Sequence, residues 1–314
     1  LVVDAQSVTV RFKRRRPLAE MFSGAPATFR AVAEADLTVA RQEVVGLVGE
    51  SGSGKTTLGR TILRLNEPSD GAVVFEGRDI THLREAQLRP VWRRMALVFQ
   101  DPLSSLNPRH TIHASLATPL RVAGLGAEVD ARVPTALRRV GLPLDAQGRY
   151  PHELSGGQLQ RVALARALML APSLVVADEA VSKLDVSVRS QILNLFKDLQ
   201  AELGISFLFI THDLHVASYI CDRIAVMFFG RIVETAPARE LFRAARHPYT
   251  RALLGTIDDT VAPVEGVRRG VVDQDAPGCI YRSQCPRRVG RCDEVHPGTV
   301  LVGSGHTLAC HNPL

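Results

Sequence analysis

The chain has 314 residues, 46% hydrophobic and 22% charged, with a net charge of +6, an ordinary composition for one large folded domain or a domain with an appendage. No apolar run reaches the ~18 residues that a membrane-spanning helix needs, and no secretory leader is visible, so spanning and secreted classes are set aside and a cytosolic place is expected. The basic balance suits nucleic acid, anionic lipid or a nucleotide as partner.

The chain opens on Leu1 rather than Met, so a trimmed or excised piece of a longer product is expected. Residues 2–12 alternate as a strand, with Val2, Val3, Val8, Val10 and Phe12 as its apolar positions. The basic run Lys13, Arg14, Arg15, Arg16 reads as a solvated loop, with lipid headgroups as the alternative contact. Residues 13–30 as a whole read as a loop, and Ala31 to Val39 as a second strand. The flat ring of Phe12 suits an adenine base; Phe29 competes for that place, and a plain core role is equally open.

Glu43 to Val48 reads as a short buried strand and Thr57 to Leu65 as a helix, with Leu58, Ile62 and Leu65 on one face. Between them Gly49, Glu50, Ser51, Gly52, Ser53, Gly54, Lys55, Thr56 and Thr57 fit the phosphate-loop pattern G-x-x-x-x-G-K-[ST] without a mismatch. Glycines let backbone N–H groups surround phosphate oxygens, and the helix N-terminus adds partial positive charge. Lys55 would neutralise phosphate charge, and the Thr56 hydroxyl would face Mg²⁺.

Gly71 to Gly77 reads as a hairpin strand. Met95 to Phe99 reads as another, ending at Gln100, whose amide could reach Mg²⁺ and a water. Residues 111–150 carry helical spacing. Leu154, Ser155, Gly156, Gly157 and Gln158 precede a helical run to Leu170; Ser155 is a suitable N-cap, and the glycines leave the helix end open to an anion. Ser173 to Glu179 is an apolar strand ending in two carboxylates: Asp178 to hold Mg²⁺, Glu179 to polarise a water. Ser182 to Asp185 is a turn, 187–203 an amphipathic helix, and Ile205 to Ile210 a strand that ends at Thr211, His212 and Asp213. His212 would reach a γ-phosphate if it shares a site with Lys55 and Glu179. Ile224 to Glu234 forms a hairpin, and Leu241 to Leu254 a helix interrupted near Pro248.

In this order the stretches resemble the nucleotide-binding subunit of ABC transporters over about residues 1–255. The resemblance implies an α/β fold. Its P-loop NTPase (RecA-like) core carries an antiparallel β subdomain and a helical signature subdomain near 101–171. It also implies ATP and Mg²⁺ as ligands, with Gly49 to Thr57, Phe12 and the signature Ser155 to Gln158 binding nucleotide. Thr56, Gln100 and Asp178 would serve Mg²⁺, and Glu179, His212 and Gln100 hydrolysis. Family members work as dimers, each ATP lying between one phosphate loop and the partner's signature. A second nucleotide-binding domain is therefore expected, as a separate subunit or in the same longer chain. Two departures, Ala180-Val181 where the family has Pro-Thr and Lys183 in the D-loop, bear on the dimer contact.

His247 to Leu254 resembles the segment that marks the dipeptide/oligopeptide and nickel branch. Residues 256–314 then form a small extension with the spacing Cys279-x5-Cys285-x6-Cys292-x17-Cys310, close to that branch's pattern. Clustered cytosolic cysteines favour a metal over disulfides. No C-x-x-C pair is present, unlike zinc ribbons. Four thiolates could hold a [4Fe–4S] cluster, as the resemblance also suggests; zinc and no metal stay open. His296, His306 and His311 read as surface residues, and Cys221 as a core residue.

The resemblance implies an ATPase that drives di- or oligopeptide uptake from the cytoplasmic face of the plasma membrane. Two transmembrane permease subunits, docking near Gln100 to Ile112, and an extracytoplasmic peptide-binding protein would complete the machine. Nickel uptake is the near alternative. A soluble ATPase acting on nucleic acid lacks the expected coiled-coil insertion or tandem domain, so no nucleic acid is expected, and an export ATPase would lack this tail.

Overall fold

Uninterrupted apolar runs form the centre of the molecule. The computed structural model describes residues 1–13, 28–255, 272–274 and 276–314. The chain begins with an antiparallel pair, β1 (Val3–Lys13) and β2 (Thr28–Val39). β3 (Val44–Val48) leads through the glycine loop into α1 (Lys55–Ile62). Next come β4 (Asp70–Phe75), β5 (Arg78–Asp79), α2 (Glu85–Trp92) and β6 (Met95–Val98). A helical insert carries α3 (Ile112–Val122), α4 (Val129–Arg139) and α5 (Gly156–Leu168). Strands and helices then alternate as β7 (Leu174–Asp178), α6 (Val186–Leu203), β8 (Ser206–Thr211), α7 (Leu214–Ile220) and β9 (Arg223–Phe228). β10 (Arg231–Pro237), α8 (Ala238–Ala244) and α9 (Pro248–Gly255) follow. The tail adds α10 (Arg291–Glu294), β11 (Val300–Gly303) and β12 (His306–Leu308).

Two sheets result. One has the order β2-β1-β4-β5, and the other β11-β12-β10-β9-β3-β8-β7-β6. From β9 to β6 the large sheet is parallel. Every residue of β3, β7 and β8 is buried, as expected where both faces of a parallel sheet are covered. Alternation decides the layers. Val45, Leu47, Val176 and Ile210 pack with α1 and the antiparallel sheet, while Val44, Val48, Val175 and Phe207 pack with the helices of the other face. This is the RecA-like P-loop architecture with helical and β subdomains that the sequence predicts.

Boundaries differ locally. The helix expected from Thr57 already starts at Lys55, because Gly54 takes the left-handed φ of +102° before it. Residues 111–150 split into α3 and α4, separated by the left-handed Gly124 at φ +77°. Helix α2, which carries Pro90, helix α7 and the short hairpin β11–β12 form in addition to the expected elements. Arg14, Arg15 and Arg16 lie outside the described residues, as does the start of the extension at 256–271.

The rest of the extension is built into the core. β12 pairs with β10, adding two strands to the large sheet. Cys279, Ile280, Tyr281 and Cys292 belong to the same apolar cluster as β3 and β7. Contrary to expectation, His306 is not a surface residue but 0% exposed, held between Glu234 and Glu240. His296 and His311 are half-buried rather than fully exposed. Burial pushes the His296 imidazole down to about 4.

Candidate functional site

Adjacent strands β3, β8, β7 and β6 all point the same way, so the loops at their C-terminal ends share one edge of the sheet. The glycine loop follows β3, His212 follows β8, Glu179 follows β7, and Gln100 lies just beyond β6.

The glycine loop is wedged between β2 and β9. A Cβ on Gly54 would lie 2.2 Å from the Ala31 carbonyl oxygen, and one on Gly49 2.1 Å from that of Met227. Only glycine allows that approach. A Cβ on Gly52 would meet open space, so φ of +80° rather than crowding accounts for glycine there. The Lys55 side chain is 5% exposed and folds back into the loop. Its Nζ donates to the carbonyls of Gly49 (2.8 Å) and Glu50 (2.7 Å). Burial pushes the Lys55 ammonium down, and the carboxylates of Glu179, Asp178 and Glu50 oppose that shift. A buried cation resting on neutral carbonyls is poised to receive an anion. Ser53 is also buried beside it, whereas Ser51 is exposed.

Thr56 Oγ1 donates to Asp178 Oδ1 at 2.8 Å. Burial raises the Asp178 carboxyl, and the Thr56 hydrogen bond partly offsets it. A hydroxyl and a buried carboxylate in contact form the hard-oxygen pair that suits Mg²⁺. Glu179 sits next in the chain at the uncommon φ of +50°, its N–H tied to the Ile210 carbonyl of β8 at 2.9 Å. Gln100 Nε2 donates to Glu179 Oε2 at 2.8 Å, and His212 Nδ1 lies 3.3 Å from Glu179 Oε1. Gln100 Nε2 also donates to Ser182 Oγ at 3.3 Å, a contact that no local sequence pattern signals. Lys55, Thr56, Gln100, Asp178, Glu179 and His212 therefore share one site.

Two groups of expected residues stand apart. Ser155 caps α5 with Gln158 in a reciprocal capping box: Gln158 N–H donates to Ser155 Oγ at 3.3 Å, and Ser155 N–H to Gln158 Oε1 at 3.0 Å. Among the described residues, no hydrogen bond joins Ser155, Gly156, Gly157 or Gln158 to the glycine loop. Phe12 and Phe29 face each other across β1 and β2, with ring centroids 5.7 Å apart and exposures of 36% and 46%. Of the unusual residues after Glu179, Ala180 and Val181 are buried in the core, and Lys183 is exposed.

The four tail cysteines are free thiols, with Cys279 and Cys292 buried and Cys285 and Cys310 half-buried. Burial pushes the Cys279 and Cys310 thiols up to about 11, and thiolate charge on the neighbouring cysteines pushes the same way. The Cys279 N–H donates to the Cys292 carbonyl at 2.7 Å, so the backbones of these two meet. Among the described residues, no three His, Cys, Asp or Glu side chains stand in an arrangement that could already hold a metal ion.

A family model described as ABC transporter matches residues 32–182, and one described as oligopeptide/dipeptide transporter, C-terminal region, matches 233–292. A putative peptide import ATP-binding protein of Brucella ovis is 45% identical over 303 residues, covering 94% of this chain and 96% of that protein. The putative oligopeptide transport ATP-binding protein YkfD of Bacillus subtilis is 40% identical over 316 residues, covering 95% and 96%. Among solved structures, the dimeric ATP-binding cassette MJ0796 bound to ADP and Pi superposes with a TM-score of 0.65 at 29% identity. That match covers 76% of this chain and 99% of that one.

Proposed function

The chain belongs to the ATP-binding subunits of ABC transporters, and from that premise we propose that it hydrolyses ATP to drive uptake of di- or oligopeptides through a membrane complex. The observation that carries the catalytic part is the Glu179 carboxylate. It is held by Gln100 and His212 beside the Thr56–Asp178 pair and the Lys55 ammonium. The matching C-terminal region at 233–292 and the names of the relatives support peptide rather than nickel as cargo.

Phosphates of ATP enter the glycine loop, and Lys55 leaves its carbonyl partners for the β- and γ-oxygens. Thr56 and Asp178 would hold Mg²⁺, with Gln100 beside them. When bound there, Mg²⁺ supplies charge neutralisation to the phosphates. Glu179 accepts a proton from the attacking water, and its two hydrogen-bond partners fix the direction of the carboxylate. His212, at the end of β8, turns from Glu179 to the γ-phosphate. Phe12, with Phe29 beside it, offers a ring to adenine.

The capped but open N-terminus of α5 meets an anion only when a second nucleotide-binding domain brings its ATP there. MJ0796, solved as a dimer, supports that arrangement. Among the described residues, no helix is long and apolar enough to cross a membrane. Two permease subunits therefore provide the path, an extracytoplasmic protein delivers the peptide, and this chain sits on the cytoplasmic face. Cys279, Cys285, Cys292 and Cys310 would supply the soft donors of a [4Fe–4S] cluster or, less naturally, zinc, only after their side chains are drawn together from the arrangement seen here.

The test is reconstitution with the permease subunits and binding protein in vesicles. Peptide uptake that requires ATP and stops with Glu179→Gln supports the reading. Hydrolysis stimulated by nickel and not by peptide would replace the cargo. Iron, sulfide and zinc analysis after anaerobic purification decides the metal.

A further inference from the structure

The marker segment His247 to Thr250 has no place in the chemistry above, yet its side chains are buried and lead to the glycine loop. Tyr249 is 2% exposed, and its hydroxyl accepts the Glu50 N–H at 3.1 Å. Glu50 is the second residue of that loop, and its carbonyl is one of the two on which the Lys55 ammonium rests, at 2.7 Å. The Glu50 N–H shares its peptide group with the Gly49 carbonyl, the other carbonyl acceptor of Lys55 at 2.8 Å, so a buried tyrosine in α9 holds a peptide on which the phosphate-binding lysine rests.

Tyr249 is itself held from two sides. Its N–H donates to His247 Nδ1 at 3.1 Å, so that ring nitrogen carries no proton. The His247 N–H and the Arg246 N–H donate to the buried Glu234 carboxylate, at 3.1 and 2.7 Å. His306 of the tail hairpin lies 2.8 Å from the same carboxylate. On the other side the Tyr249 ring packs on Phe228 and on Tyr281, with centroids 4.5 and 5.5 Å away. Tyr281 lies two residues after Cys279. The tail therefore touches Tyr249 directly through Tyr281 and is linked to it from the hairpin by way of Glu234 and His247, and Tyr249 touches the loop.

We propose that Tyr249 is a positioning residue for nucleotide binding: its hydroxyl fixes the Glu50 peptide of the glycine loop, and the tail packed around it sets that position. The proposal rests on the glycine loop being the nucleotide site. A loop with one edge anchored in a rigid aromatic stack loses less freedom on binding phosphate than a loop free at that edge. In this device the hydroxyl and the ring of Tyr249 have separate tasks, the first on the Glu50 N–H and the second in the stack with Phe228 and Tyr281.

The experiment uses the full chain and three readouts: Mg-ADP affinity by calorimetry, amide exchange over residues 49–54, and the thermal midpoint. Mg-ADP fills the loop without turnover. Tyr249→Phe keeps the ring and removes the acceptor. The expected result is Mg-ADP binding weaker by roughly 3- to 10-fold, as for loss of one hydrogen bond. Exchange at Glu50 should be faster, and the midpoint should fall by no more than ~3 °C. Unchanged affinity and unchanged exchange, whatever the midpoint does, would overturn the proposal and leave Tyr249 a packing residue. Lys55→Ala is measured alongside. If it too leaves Mg-ADP affinity intact, the loop is not the nucleotide site, and the underlying reading falls with the proposal. If it abolishes binding while Tyr249→Phe does nothing, only the positioning role is lost.

Discussion

At the residue scale the site is a set of short polar contacts, each of which makes a separate claim. Glu179 is held by Gln100 and His212 and lies on a strained backbone turn, the combination expected of a group whose direction matters. Glu179→Gln keeps the shape and removes the proton acceptor. ATP hydrolysis should fall by about 10²- to 10⁴-fold while Mg-ADP binding is retained, which a phosphate-release assay beside calorimetry checks. His247 makes a different claim. Burial pushes its imidazole down from the ordinary 6.5 to about 3. The unfolded chain therefore binds the proton that the folded chain refuses between those values. The stabilisation is complete above pH 6.5 and is lost as pH falls towards 3, by at most ~1.4 kcal/mol per pH unit for this group. His296 adds the same sign down to about pH 4. Urea midpoints measured between pH 7 and 5 should drop. His247→Asn, which keeps an acceptor for the Tyr249 N–H without titrating, should flatten that slope.

Contacts between elements carry the next layer. The N-terminus of α5 runs so close to α6 that a Cβ on Gly157 would stand 2.6 Å from Val188 Cγ1. Gly157→Ala should therefore displace the helix start and weaken ATP-driven dimerisation, read by light scattering in the Glu179→Gln background. The hairpin β11–β12 is pinned to β10 and α8 by His306, whose two ring nitrogens lie 2.8 and 2.9 Å from the carboxylates of Glu234 and Glu240. His306→Ala leaves Glu234 buried with its charge less well paired. A loss of roughly 3 kcal/mol in stability is expected, and denaturant unfolding measures it. Neither contact could be read from the sequence. Gly157 was legible as part of a signature but not as a packing point, and His306 lay in a stretch too short for periodicity to place.

For the molecule as a whole, the tail is the main structural finding. It contributes strands to the large sheet and Ile280, Tyr281, Cys279 and Cys292 to the main core. Truncation after residue 255 would expose Phe228 and Tyr249, which Tyr281 covers. Each such side chain is worth ~1.5–3 kcal/mol of burial. The truncated chain should accordingly unfold at much lower temperature or accumulate as aggregate, measured by thermal denaturation and by the soluble fraction on expression. A truncated chain as stable as the full one would make the tail a detachable appendage.

The glycine loop, the Asp178–Glu179 pair at the end of β7, Gln100 beyond β6 and His212 after β8 were all legible in the sequence as candidate site residues. Each is a local pattern at the end of an apolar run, and backbone period and residue chemistry act over a few positions. The cysteine spacing was legible too. That these loops share one sheet edge follows from the folded strand order, which brings β3, β8, β7 and β6 side by side regardless of their distance in the chain. Only the tertiary structure turned His306 inward and set Tyr249 under the phosphate loop. Those placements depend on which buried polar group finds a partner once the core has closed, and that pairing spans 199 residues between Glu50 and Tyr249.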